Sequence, residues 1–468
     1  MIMIAAHLAP GPAHVQEHAD GLPPARRLWA MAALMTGVSM ASLDTAIANT
    51  ALPALAQQLH AGAAASVWIV NIYQLAMVAT LLPFAALGES IGYRRVATAG
   101  LALFTLASLG CALAWDLPSL VAARLLQGIG GSAIMGVNTA LLRAIYPARL
   151  QGQGFGVNAL IVAVAFAVGP TLASLILSFA SWPWLFAINV PLGAVAWVLA
   201  RRVLPDNDRS PHALDRKAAL YNALAFGLLI LLLGDAAHGA SAARLGLETL
   251  ATLACFALLL RRQRGQAAPI FPTDLLARPL FALSALTAVC TFAVQSLAFV
   301  ALPFHFEATL GRSPVETGFL LTPWPVMVGV MGPLAGRLSD RYHSGLLGGI
   351  GLLALCGGML ALLVMPAQAG ALDIAWRMAL CGVGFGFFQA PNMKAIMGSA
   401  PRERAGGASG IVATARLSGQ ALGAALVAWC LVLSPLRGTF DALAIAAALA
   451  LIGALVSFAR LGLGRPAA

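Results

Sequence analysis

Charge is scarce in this chain: only 10% of its 468 residues are Asp, Glu, Lys or Arg, against about a quarter in a typical soluble domain. That excludes an ordinary soluble enzyme, a disordered chain and a coiled coil, all of which need a charged surface. Cysteine is sparse as well. Cys111, Cys255, Cys290, Cys356, Cys381 and Cys430 stand singly in apolar runs, without the CxxC or Cys/His spacing that holds zinc, and read as small core residues. His7, His14 and His18 lie in a Pro/Gly/Ala-rich tail with no second ligand cluster, so no metal is expected. The same tail lacks the basic start and long apolar core of a cleaved signal peptide. HExxH and GxSxG are missing, and the polar residues inside the apolar runs make no acid, base and nucleophile set, which leaves a multi-pass membrane enzyme as a remote alternative. There is no GxxxxGK[ST] phosphate cradle, so ATP is not the expected energy source, and no cofactor is expected.

What is abundant is apolar length. Hydrophobic residues make up 60% of the chain and mean hydropathy is +0.86. At roughly 20 residues per bilayer crossing, 14 crossings take up about 280 residues. The runs are long and do not alternate, which suits helices, whose backbone bonds are internal, rather than barrel strands. Helices are predicted at about 28–53, 66–87, 96–115, 117–145, 154–179, 184–204, 218–234, 245–260, 281–303, 315–335, 346–365, 371–396, 408–433 and 440–458. The seventh and eighth are the shortest. Without that pair the count falls to 12 and the sidedness of the rest is unchanged.

The net charge of +11 reports orientation. Of 28 Lys and Arg, 22 fall in alternate interhelical segments or the tails, whereas the opposite loops hold only Arg244, Arg312 and Arg437. This asymmetry predicts that both termini face the cytoplasm. Basic residues do not cluster with aromatics, so no nucleic-acid partner is expected. The expected partners are the lipid bilayer, protons and a small amphipathic substrate, with the chain acting as a monomer.

The sequence also repeats itself. Ala51-Leu52-Pro53 recurs as Ala301-Leu302-Pro303. The segment Leu87 to Gly92 recurs as Leu338 to His343, an apolar-small-acid pattern. Arg124 with Gly128 and Gly130 recurs as Arg377 with Gly382 and Gly384. Three pairings in order, at offsets of 250 to 254 residues, predict a duplicated six-helix bundle. The expected organisation is an N-terminal tail (1–27), a first bundle (28–204), a linker with an inserted helix pair (205–278), and a second bundle with a short tail (279–468).

Four stretches carry a resemblance to a known family: Leu43 to Pro53, Leu87 to Arg95, Arg124 to Gly131, and Gly169-Pro170. Trp182 to Gly193, with Ile188-Asn189-Val190-Pro191, adds a fifth. Together they resemble the major facilitator superfamily, specifically its fourteen-helix drug:proton antiporters. The resemblance implies an all-α polytopic fold of two six-helix bundles plus two inserted central helices. It also implies proton-coupled export of amphipathic drugs or toxic organic compounds across the inner membrane. Export of one dedicated metabolite, such as a siderophore or antibiotic precursor, is the alternative on the same fold.

Asp44 is the one acid predicted well inside a helix, about nine residues from the outer end of the first. An ionised Asp at mid-membrane costs on the order of 3 kcal/mol on insertion scales, so its charge state answers to its surroundings. Arg124, about seven residues into the fourth helix, falls at a matching depth. In the resembling family this arginine belongs to the motif implicated in proton transfer. The competing roles are a structural acid beside a polar neighbour, and an arginine bonded to backbone carbonyls. Arg377 is the second-half counterpart of Arg124, but Val294 and Gln295 stand where Asp44 would fall, which points proton handling to the first half.

Gly156, Gly169 and Pro170 resemble the antiporter motif of helix five, with Ala173-Ser174 where the family usually has two glycines; a plain helix kink is the alternative. Glu89, Arg94 and Arg95, with Arg337, Asp340 and Arg341 in the second copy, resemble the loops that latch the cytoplasmic side. Topology-setting charges are the alternative there. Asn49, Trp68, Asn71, Gln74, Gln295, Trp324 and Gln389 are the candidate cavity residues. Asp235, Glu307 and Arg416 are secondary candidates, expected as interfacial or snorkelling charges. With a single deep acid, lipophilic monocations or neutral molecules are the expected substrates.

Overall fold

The computed structural model describes residues 21–147, 150–206, 215–237, 240–264, 271, 273–366, 368–400, 405–434 and 437–463. The histidines of the N-terminal tail and Arg149, Arg209, Arg402, Arg404 and Arg465 lie outside these. Among the described residues, fourteen helices are long and apolar enough to cross a membrane. In chain order they are α1 (Pro24–Gln58), α2 (Ala63–Ile91), α3 (Tyr93–Ala112), α4 (Leu117–Ile145), α5 (Gln151–Phe179), α6 (Trp184–Val203) and α7 (Arg216–Ala237). There follow α8 (Ala242–Gln263), α9 (Pro279–Thr309), α10 (Pro314–Leu338), α11 (Ser344–Leu363), α12 (Ala371–Ser399), α13 (Ala405–Leu433) and α14 (Gly438–Leu463).

Several predicted ends shift. The first helix does not stop at Pro53 but runs through it to Gln58, because a membrane helix tolerates the missing donor where neighbouring helices enclose the backbone. Asp44 is therefore 14 residues from that end, roughly 21 Å at 1.5 Å per residue. Helix α9 passes through Pro303 and ends in a π-helical turn, His305–Thr309, which holds Glu307. Helix α10, predicted as continuous, is interrupted at Thr322 ahead of Pro323. The pair expected to be short, α7 and α8, has 22 residues in each member.

The internal repeat of the sequence reappears as a repeat of packing. Within the first six helices α1 packs on α5 and α6, α4 on α2 and α3, and α3 on α6. Within the last six, α9 packs on α13 and α14, α12 on α10 and α11, and α11 on α14. Each pairing maps onto its counterpart eight helices later. The glycines that repeat in sequence explain part of this. A methyl on Gly128 would lie 2.4 Å from the Tyr73 carbonyl oxygen, and one on Gly382 would lie 2.2 Å from that of Trp324. Gly130 and Gly384 stand equally close to the backbone of α3 and α11. The missing side chains let three helices share one line of contact in each set.

Between the two sets, α2 packs on α13, α5 on α10, and α1 on α9. Helix α7 lies against α2 and α13, with α8 packed on α7. On the side away from the termini the sets are closed. There the Ser174 hydroxyl donates to the Pro314 carbonyl at 2.6 Å, and the Thr171 and Thr322 hydroxyls are 2.9 Å apart. On the side of the termini they part around a cavity of about 300 Å³.

Candidate functional site

The centre of the first set holds a buried ion pair. Asp44 is 1% exposed and Arg124 is 0% exposed, and the Arg124 Nη1 donates to Asp44 Oδ2. Two amides complete the carboxylate's shell: Gln127 Nε2 donates to Asp44 Oδ1 at 2.8 Å, and Asn189 Nδ2 donates to the same oxygen at 3.2 Å. Gln127 is itself tied to the Ser108 hydroxyl at 2.9 Å and accepts from Arg124 at 2.6 Å. Four helices, α1, α3, α4 and α6, thus converge on one carboxylate.

Arg124 makes the backbone-carbonyl bond offered as the alternative and also pairs with the acid: its Nε donates to the Ile69 carbonyl at 3.0 Å while its Nη1 holds Asp44. Its guanidinium sits 4.2 Å from the Tyr73 ring centre and 5.6 Å from that of Phe186. The buried cation is therefore balanced by one anion, one carbonyl and two aromatic faces. Gln127, Asn189 and Tyr73 escaped sequence reasoning as members of this shell. Gln127 follows Arg124 by three residues and so shares its helix face, which was the available signal.

Arg377, the second-half counterpart, is built differently. It pairs with Asp373 four residues earlier on its own helix, at 3.1 Å, and donates to the Ala361 carbonyl. Val294 is fully buried where an acid would be needed to repeat the first-half pair.

Gly169 and Pro170 bring α5 against α1 and α10. A methyl on Gly169 would lie 2.4 Å from the Ala46 side chain, two residues from Asp44. Gly156 lies in α5, but its surroundings are outside the described residues. Ser174, a departure from the resembling motif, is buried and bonds across to α10 through the Pro314 carbonyl, a link that glycine at this position cannot make.

Of the latch residues, Arg94 bonds to the first half and to the linker, and Asp340 bonds within the second half. Arg94 donates to Asp206 at 3.1 Å and to the Arg201 carbonyl, and Lys394 donates to Asp340 at 2.6 Å. Arg95, Arg337 and Arg341 are exposed. Glu89 is exposed at the mouth of the cavity.

Of the seven candidate cavity residues, Gln389 lines the open cavity. Asn49, Asn71, Gln74 and Trp324 are instead sealed in the closed half, because the helices carrying them meet there. The Asn49 Oδ1, the Asn71 Oδ1, both Gln74 side-chain polar atoms and the Trp324 Nε1 have no hydrogen-bond partner. Trp68 packs against Gly234 of α7, and half-buried Gln295 lies outside the cavity lining. A series of aromatic rings, Phe292, Phe385, Trp324 and Phe299, leads from the cavity wall into the closed half, with ring centres 5.3–6.2 Å apart. Asp235, two residues before the end of α7, is paired with Arg244 of α8. Arg460, counted with the terminus-side charges, is fully buried and held by Ser284 at 2.9 Å and Asn392 at 2.6 Å.

Fourteen helices long and apolar enough to cross a membrane, twelve of them packed as two like sets about a cavity, define a multi-pass membrane protein. The profile of the Major Facilitator Superfamily matches residues 34–424, and the chain belongs to that superfamily. It is similar to the uncharacterized transporter YebQ of Escherichia coli, with 52% identity over 95% of this chain and 97% of that protein. It is also similar to the tetracenomycin C resistance and export protein of Streptomyces glaucescens, with 30% identity over 84% of this chain and 74% of the relative. Among solved structures, the D-xylose-proton symporter superposes with a TM-score of 0.67 at 15% identity, covering 92% of this chain and 97% of that one. The family and its relatives make this chain a transporter and not an enzyme.

Proposed function

We propose that this chain is a proton-coupled antiporter of the inner membrane, exporting small amphipathic compounds from the cytoplasm, which its termini face. The two six-helix bundles, 28–204 and 279–468, rock about the cavity, with the 205–278 linker and its helix pair inserted between them. The observation that carries the reading is the water-excluded Asp44–Arg124 pair, the single carboxylate–guanidinium couple buried on both sides among the described residues. Protonating Asp44 removes the anion that Arg124 faces and so changes the energy of the first bundle's packing. A proton can therefore bias which side of the transporter is open.

In this reading the structure is the inward-facing state. The unpartnered polar atoms of Asn49, Asn71, Gln74 and Trp324 support it, because they are groups that opening the outer side would give to water or substrate. The export activity named for the tetracenomycin relative supports the direction of transport. The test is a flux assay in proteoliposomes under an imposed pH gradient, with a panel of dyes and antiseptics. Accumulation that follows the gradient and collapses with a protonophore is expected; transport indifferent to the gradient overturns proton coupling.

Glu89 and Asp340 supply a separate check. In the outward-facing state their loops latch the cytoplasmic side, so Glu89→Gln and Asp340→Asn are each expected to lower turnover several-fold with membrane insertion unchanged. Turnover equal to wild type in both variants, measured in the same vesicles, removes the latch role.

A further inference from the structure

One charged side chain faces the central cavity from within the membrane and is not used by the ion pair. Arg416 lies 11 residues after the first residue of α13, roughly 17 Å along the helix, and it lines the cavity. It makes no hydrogen bond or ion pair among the described residues. A snorkelling arginine reaches lipid headgroups along the outside of a bundle; this one points inward, between the two halves. A guanidinium so placed is costly without a counter-charge.

The rest of the lining shows what kind of molecule supplies that charge. Phe292 and Phe388 offer apolar faces, and Asn158 and Gln389 offer amides. Glu89 also lines the cavity, but it stands two residues from the terminus-side end of α2, at the mouth, whereas Arg416 is deep. The Tyr73 hydroxyl lies within electrostatic reach of Arg416 and also of Asp44 and Arg124.

Resting on the transporter reading above and naming its substrate class, we propose that the cavity takes an amphipathic organic anion, with one carboxylate on Arg416 and an apolar body against Phe292 and Phe388. A planar carboxylate suits the two-pronged guanidinium, which Lys does not reproduce. This departs from the monocations and neutral molecules expected from the sequence, where Arg416 was a secondary candidate expected as a snorkelling or interfacial charge.

The test uses three probes that share one ring system and differ in charge: 1-naphthoate, 1-naphthalenemethanol and 1-naphthylmethylammonium. Each is titrated by calorimetry into the purified full chain in lipid nanodiscs with no pH gradient. Wild type is expected to bind naphthoate at least about tenfold more tightly than the ammonium probe. Arg416→Gln is expected to weaken naphthoate by about 10- to 100-fold while leaving the alcohol within about twofold. Arg416→Lys is expected to fall between. Preference of the wild type for the ammonium probe overturns the proposal without reference to any variant, as does naphthoate binding in a folded Arg416→Gln chain equal to wild type. Because these are equilibrium measurements, anion selectivity that is present while gradient-driven flux is absent removes the antiport reading and leaves the site. Gradient-driven flux without anion selectivity does the reverse.

Discussion

Asp44→Asn is expected to reduce gradient-driven transport in proteoliposomes to the level of protein-free vesicles while the chain still inserts. Asparagine keeps the shape of the side chain, and its carbonyl oxygen still accepts from Gln127 or Asn189, but it cannot bind and release a proton. It also leaves Arg124, 0% exposed, facing a neutral group. Breaking a buried pair by removing one partner costs on the order of 3–5 kcal/mol, because the surviving charge is stranded. The variant should therefore unfold at lower temperature than wild type. Replacing both members, Asp44→Asn with Arg124→Gln, removes the stranded charge and should recover much of that stability without recovering proton coupling. The two readouts separate the roles. Stability that returns together with transport makes the pair structural, and gradient-driven transport that survives in Asp44→Asn alone ends the coupling reading.

The ion pair was legible in the sequence because charge is so rare there that any acid inside an apolar run stands out. Its shell was less so. Gln127 and Asn189 are amides, which occur in helices for many reasons, and only the convergence of α4 and α6 on α1 turns them toward Asp44. The helix count was legible for the same reason as the pair: hydropathy and length fix a membrane span, whereas proline does not end one. Pro53 and Pro303 both read as terminators and both lie inside helices. The cavity was the least legible part, since a linear sequence does not say which helix face turns toward the other bundle or which end of the bundle is open. Gln389 lines the cavity, while Asn49, Asn71, Gln74 and Trp324 sit in the closed half. Arg416, read as a peripheral charge, lies on the cavity wall. Ser174 looked like a weakening of a glycine motif and is instead a hydrogen bond across the closed side.

That closed side makes the second large prediction, Gly318→Val. Gly318 lies in the outer arm of α10 against α5, where an added methyl would fall 2.0 Å from the Ser174 hydroxyl and 2.5 Å from the Pro170 carbonyl oxygen. The hydroxyl can rotate away, but the carbonyl is backbone and cannot. Valine therefore penalises the state in which α5 and α10 touch and leaves the outward-open state, where they part, unaffected. An overpacking cost of about 1–3 kcal/mol shifts a two-state equilibrium by roughly 5- to 150-fold. Transport requires both states, so flux is expected to fall by one to two orders of magnitude in a chain that remains folded. The conformational cause can be read directly from spin labels at Ile91→Cys and Tyr342→Cys, both exposed on the terminus side in opposite halves, on a background with the native cysteines replaced. Closing that side should shorten the distance between them in Gly318→Val. Ser174→Ala is the companion variant: it removes the cross-half hydrogen bond without adding volume, and is expected to shift the same distance in the same direction by a smaller amount. Normal flux with an unchanged distance in Gly318→Val would mean that the two bundles do not part along α5 and α10, and the rocking motion would have to be sought at another pair of helices.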